Sequence, residues 1–272
     1  MVKKCITREY LQSKNRKEID ELFEYVYNAI MNNIGKFQKY DPWYDQNIYT
    51  SIVASGIPIL ERMCAVLDYV QQGIYLWENS PYVKNYPELY FLNYVLFHRT
   101  NDEEIKPCRT YFWKKIKDKV QGKAMVEAAL EINHWCAGEV MYQGTDMRTG
   151  SALEIYRSGV GRCGEEAVFV VNVMRSAGIP ARPVYVPRWS HCDDNHAWVE
   201  VWCDGDWHYL GACEPEAVLD KGWFTNAASR AMMIGSRWYD RAMPDEKVIG
   251  KDGMNRIINL LGKYAKTRWI TI

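Results

Sequence analysis

The chain has 272 residues, 48% apolar and 25% charged, and its 34 basic and 34 acidic side chains cancel to a formal net charge of zero. That balance excludes an intrinsically disordered chain and leaves no electrostatic case for nucleic acid or an anionic membrane as partner. Eight cysteines are scattered without a CxxC pair, no apolar run approaches the roughly 20 residues that span a bilayer, and no signal-peptide h-region is visible. The expectation is a cytoplasmic protein with reduced thiols.

In chain order, the first third reads as helical. Over 18–34, Ile19, Leu22, Phe23, Val26, Ile30 and Ile34 recur at helical spacing, with Gly35 as a stop. A second helix is expected over 57–72, with Leu60, Met63, Leu67 and Val70 inward and Gly73 at its end. Pro87 opens a third through Leu96, and Asp41-Pro42 and Ser80-Pro81 read as turns. Lys114-Lys115-Ile116-Lys117 reads as a solvated helix face. A helix over 123–142 carries Met125, Ala129, Ile132, Trp135, Cys136 and Val140 on one side, and a Gly, Thr and Asp-rich loop over 144–150 leads to a short segment ending at Tyr156. The division expected is a helical N-terminal region over 1–122 and a core with a C-terminal extension over 123–272.

The chemistry begins at Gly161-Arg162-Cys163-Gly164-Glu165-Glu166. Cys163 precedes Ala167, Val168, Val170, Val171 and Met174, apolar nearly all round, so it stands at the start of a buried helix that Gly178 and Pro180 end. A thiol there meets the positive end of the helix dipole, and Arg162 adds positive charge. Glu165 and Glu166 oppose a thiolate unless their side chains point elsewhere. The Cys163 backbone N–H is a candidate oxyanion donor.

Three strands follow, over 181–186, 196–202 and 207–210, and Asp204-Gly205 marks a hairpin between the last two. His196, Trp198, Glu200 and Trp202 share one face of the middle strand. A histidine after a Gly-flanked cysteine supplies what thiol nucleophiles need, a base that takes the proton and returns it. Further on, 257–264 reads as a short apolar helix and 267–272 has strand character.

In order, Gly-x-Cys-Gly, the buried helix, Ala177-Gly178-Ile179-Pro180-Ala181-Arg182, His196-Ala197-Trp198-Val199-Glu200-Val201-Trp202 and Asp204-Gly205-x-Trp207 resemble the transglutaminase-like superfamily. The resemblance covers roughly 123–215. It implies an α+β, papain-like core in which a central helix bearing the cysteine packs on an antiparallel sheet. It assigns the nucleophile to Cys163 and the base to His196. The family usually has Asp on the next strand to orient the imidazole and complete a catalytic triad; here Gly211 occupies that place. Glu214 is the candidate replacement, with Asp194, Asp206, a backbone carbonyl or a water as alternatives. Trp189, Trp198 and Tyr156 are candidate substrate-binding residues, Tyr156 as a candidate second oxyanion donor.

The function expected is acyl chemistry on an amide through a Cys163 thioester, with hydrolysis by a peptidase or amidase favoured over amine transfer. The substrate expected is a peptide or protein, with a glycan-linked peptide as a variant, and no cofactor is called for. A silent peptide- or glycan-binding module is the alternative. His191, Cys192, Asp193, Asp194 and His196 include zinc-ligand types but lack the spacing of a closed site.

Overall fold

A computed structural model describes residues 12–35, 37, 57–144, 149–239, 246–252 and 255–268. The expected turn at Asp41-Pro42, residues 145–148 of the loop and the tail over 269–272 lie outside these.

Helix α1, Arg16–Ile34, opens on a capping box: the Asn15 side chain accepts from the Glu18 N–H and Glu18 accepts from the Asn15 N–H, both at 3.0 Å. It buries Val26, Ile30 and Ile34. Helix α2, Ile57–Asn79, continues past Gly73, the expected stop. Gly73 lies against Leu96, whose side chain a Cβ would strike, so close approach of two segments explains this glycine.

Helix α3, Glu88–Phe91, widens into a π-helical turn, Leu92–Leu96. The carbonyls at its exit are bound by two buried arginines. Arg109 donates to Val95 O and Phe97 O, and Arg175 donates to Phe97 O and Arg99 O. Helix α4, Arg109–Val120, keeps Phe112 and Ile116 inward, and α5 is Met125–Glu139. The helix expected over 123–142 ends there because Met141–Tyr142 forms strand β1. Helix α6, Ala152–Ser158, is capped by Ser151 and closed by Gly159 at φ 70°. Strand β2, Val160–Gly161, pairs in parallel with β1 and delivers the chain to α7, Cys163–Ser176. Gly178 follows at φ 83°, in the left-handed region glycine tolerates.

The remaining elements are β3 (Ala181–Val186), β4 (His196–Cys203), β5 (Asp206–Leu210), α8 (Thr225–Ala228), β6 (Gly235–Trp238), β7 (Val248–Asp252), β8 (Asn255–Asn259) and α9 (Leu261–Tyr264). Asp204 and Gly205 both have positive φ, as the expected tight hairpin requires. The apolar helix expected over 257–264 is a strand followed by one helical turn. Ile257 and Ile258 are β-branched and pair with Arg237 and Ser236 of β6.

Six antiparallel-paired strands form one sheet in the order β5-β4-β3-β6-β8-β7. Alternation sorts β4 between two cores. Val199, Val201 and Cys203 join the apolar residues of α7 on one face, and Trp198 joins Val184, Trp207, Phe224 and Trp238 on the other. The fold is therefore α+β, with the cysteine-bearing helix laid on an antiparallel sheet. Among the described residues no helix is long and apolar enough to cross a membrane.

Candidate active site

Cys163 is the first residue of α7 and is half-buried. The two glutamates behind it have different fates. Glu165 turns back, its carboxylate accepting from Gly150 N at 3.0 Å and Arg162 N at 3.2 Å. Gly161 makes room for it, since a Cβ there would stand 3.1 Å from Glu165 Cβ. Glu166 is one helical turn from the sulfur, buried, and its charge bears on the thiol. Burial and the Glu214 charge push its carboxyl up to about 8, so it is largely neutral near pH 7 and adds little repulsion to a thiolate.

Strand pairing explains what the sulfur meets. Trp202 N donates to Pro180 O on the β3 side, so the odd-numbered amides of β4 face β5. Pairing with β5 begins at Val199, three residues into β4's open end. The Ala197 N–H beyond it is hydrogen-bonded to the Cys163 sulfur, as is the Gly164 N–H. Burial nevertheless pushes the thiol up, outweighing these two donors and Arg162.

His196 begins β4, opposite Val186. Its ring lies 4.7 Å from Trp223, 5.1 Å from Phe224 and 5.9 Å from Trp198, centroid to centroid. Burial in this aromatic pocket lowers the imidazole to about 4, against the pull of Asp194. Nε2 is buried and has no hydrogen-bond partner among the described residues. Thiol and imidazole thus reach the same end of one strand, the sulfur resting on the amide next to the histidine, with no hydrogen bond between them among the described residues.

Gly211 leads from β5 into a turn closed by Glu214 N to Gly211 O at 3.2 Å, with Cys213 at φ 57°. The Glu214 side chain folds back over Gly211, where a Cβ would stand 2.8 Å from Glu214 Cβ. The carboxylate of residue 214 therefore occupies the space a side chain at 211 would fill. It accepts from Trp223 Nε1 at 3.0 and 3.1 Å, and burial raises it while this bond lowers it. Trp223, 63% exposed, spans from that carboxylate to the His196 ring. Asn133 of α5 binds the same turn through Nδ2 to Gly211 O at 2.9 Å and Glu214 O at 3.4 Å, and through Oδ1 from Cys213 N at 3.1 Å.

The other named residues lie as follows. Trp189 is buried and stacks near His196 and Trp198. Trp198 is fully buried, its Nε1 donating to Tyr264 Oη at 2.9 Å, which makes it the floor under the imidazole and leaves it no face for substrate. Tyr156 is not brought to the sulfur; its ring packs with Phe112, Trp135 and Phe169. Asp194 is exposed beside His196, and Asp206 lies at the far end of the β4–β5 hairpin. Among the described residues no group of three or more His, Cys, Asp or Glu is placed to hold a metal. Sequence reasoning missed Trp223 and Asn133. The only signal for the first is a tryptophan close behind the Glu-Pro of the turn, and the second has none.

No curated protein sequence matches the chain. Among solved structures it is similar to a crystal structure from Cytophaga hutchinsonii of a protein proposed to be a cysteine protease, with 17% identity and a TM-score of 0.33. That match covers 56% of this chain and spans 57% of the other. Residues 114–212 match the profile of the transglutaminase-like superfamily. The thiol at the start of the central helix and the imidazole on the second strand of the sheet both lie within this matched segment.

Proposed function

We propose that the chain is a thiol enzyme acting on an amide or related acyl group of a peptide or protein. The observation that carries this is the Cys163 sulfur seated at a helix start on the Ala197 N–H, next to His196. The sulfur attacks the acyl carbon while His196 takes the thiol proton, and the Cys163 N–H supports the oxyanion. Collapse breaks the C–N bond, the leaving nitrogen takes the proton from His196, and a thioester remains. Water, deprotonated by His196, attacks the thioester, giving the carboxylic acid and returning the proton to the sulfur. An amine in place of water gives transfer; we favour water.

Glu214 serves as the carboxylate of the triad. Its placement over Gly211 supports this, as does its link through Trp223 to the imidazole. The free thiol and imidazole are both neutral near pH 7, so proton transfer accompanies attack, and the sulfur–imidazole bond tightens in the substrate complex.

A second reading is favoured by one observation, the unpartnered Nε2 of His196: a silent module that binds peptide or glycan at the aromatic lip. Intact-mass analysis after p-nitrophenyl acetate separates the two. An acetyl thioester on Cys163, absent in Cys163→Ser and slowed about tenfold or more in His196→Ala, supports the enzyme. Acylation of Cys163 no faster than that of the other thiols leaves the binding module. Adding methylamine and measuring N-methylacetamide against acetate reads the acceptor.

A further inference from the structure

The turn over 211–214 is held from outside its own strand. Cys213 at its third position has φ 57°, a conformation that costs a non-glycine residue of the order of 1 kcal/mol and persists where surrounding contacts over-determine it. Beside the turn's own Glu214 N to Gly211 O bond, three hydrogen bonds to it come from one side chain. Asn133, 1% exposed on α5, donates to the Gly211 and Glu214 carbonyls and accepts from the Cys213 N–H. A single amide thus binds the turn at its start, its strained residue and its end.

A buried amide could merely cap loose backbone. What separates this one is the content of the turn. Glu214 begins where Asn133 lets go, and its carboxylate reaches Trp223, and through that ring His196, only because the turn folds it back over Gly211. In an ordinary extension of β5 that side chain would not stand over residue 211.

We propose that Asn133 is a positioning residue for the site: it fixes the strained 211–214 turn and so sets where the Glu214 carboxylate stands relative to His196. This rests on the reading of Glu214 as the carboxylate of a Cys163–His196 site. It adds a group from α5, two helices before the nucleophile's own, one that touches neither substrate nor the reacting atoms.

The test is a double-mutant cycle on acylation of the full chain by p-nitrophenyl acetate, read over roughly pH 5 to 9 with thermal midpoints alongside. Asn133→Ala and Glu214→Gln should each slow acylation about tenfold and displace the pH profile in the same direction. The double variant should be no slower than the slower single, whereas the fall in midpoint from Asn133→Ala should recur in the Glu214→Gln background. Cys213→Gly, which relaxes the φ demand, should restore part of the rate lost in Asn133→Ala.

Rates that multiply, or an Asn133→Ala protein that is less stable yet keeps the wild-type profile, overturn the inference. If Asn133→Ala does not fold, Asn133→Asp, which keeps the acceptor for Cys213 and loses the donor, is read by the same criteria. An unchanged Glu214→Gln profile removes the group through which Asn133 acts and also overturns it. That outcome leaves the Cys163–His196 reading standing, because Cys163→Ser and His196→Ala decide that reading.

Discussion

The side chain of Glu214 stands where a side chain on Gly211 would stand, with Glu214 Cβ 2.8 Å and its carboxyl carbon 3.2 Å from the position of a Cβ on residue 211. The two positions are therefore exclusive. Gly211→Asp alone overpacks the turn and should cost about 1–3 kcal/mol, seen as a lower midpoint in urea. Glu214→Gly alone should acylate about tenfold slower than wild type. The pair Gly211→Asp with Glu214→Gly, which also removes the Cβ that stands 2.8 Å from the new one, moves the carboxylate to residue 211 and should recover most of that rate. A double variant as slow as Glu214→Gly would show that the carboxylate has no role at this place.

Glu166 links the site to stability. Its folded value of about 8 lies above the ordinary 4.5, so between these limits the folded chain binds a proton that the unfolded chain has released. Stability from this group is therefore unaffected below about pH 4.5 and falls as pH rises towards 8. Glu166→Gln should be more stable than wild type at pH 8 by on the order of 3 kcal/mol, with the difference vanishing near pH 4. Parallel stability curves for the two proteins across that range would refute it.

Trp223 covers the imidazole, and burial is what holds His196 at about 4. Trp223→Ala opens the ring to water, so its value should move up towards 6.5, followed by NMR titration of the His196 Cε1 proton. The sign for stability follows. A depressed imidazole costs the folded state as pH falls from 6.5 to about 4, because the unfolded chain takes the proton first. Trp223→Ala should flatten that acid-side loss. An unmoved titration would place the desolvation in the neighbouring rings.

Arg182 and Glu200 face each other across β3 and β4 and are fully buried, paired at 2.7 Å, with Glu246 on the other arm of the guanidinium. Glu200→Gln leaves a buried cation short of one partner and should cost about 3–5 kcal/mol without altering the acylation rate of the folded protein at low temperature. A loss of rate with little loss of stability would move Glu200 from scaffold to site.

Much of the site's frame was legible because its signals are local. Cys163 before an apolar helix, Gly178 ahead of Pro180 and Asp204-Gly205 between two strands each encode their geometry within a few residues. The misreadings came where tertiary contact overrides local spacing. Gly73 looks like a stop until Leu96 is found against it, and Ile257 and Ile258 look helical until β6 pairs with them. Glu214 could be named from the sequence as a substitute for Gly211, but its bond to Trp223 could not, since the two are nine positions apart across irregular chain. Asn133 lies 78 residues before Gly211, and a long-range bond from a buried amide leaves no trace in periodicity.

Trp198 Nε1 donates to Tyr264 Oη, which donates to Glu200 at 2.6 Å, which holds Arg182. Tyr264 comes from α9, beyond the 114–212 segment that carries the family signature. The recognisable segment is therefore not a transplantable unit. Excised, it would carry a buried indole N–H and a buried carboxylate oxygen that both face a missing phenol, directly beneath the imidazole. Any graft of this cysteine–histidine cassette into another scaffold, or any minimal fragment cut to its borders, has to bring a hydroxyl to that one point.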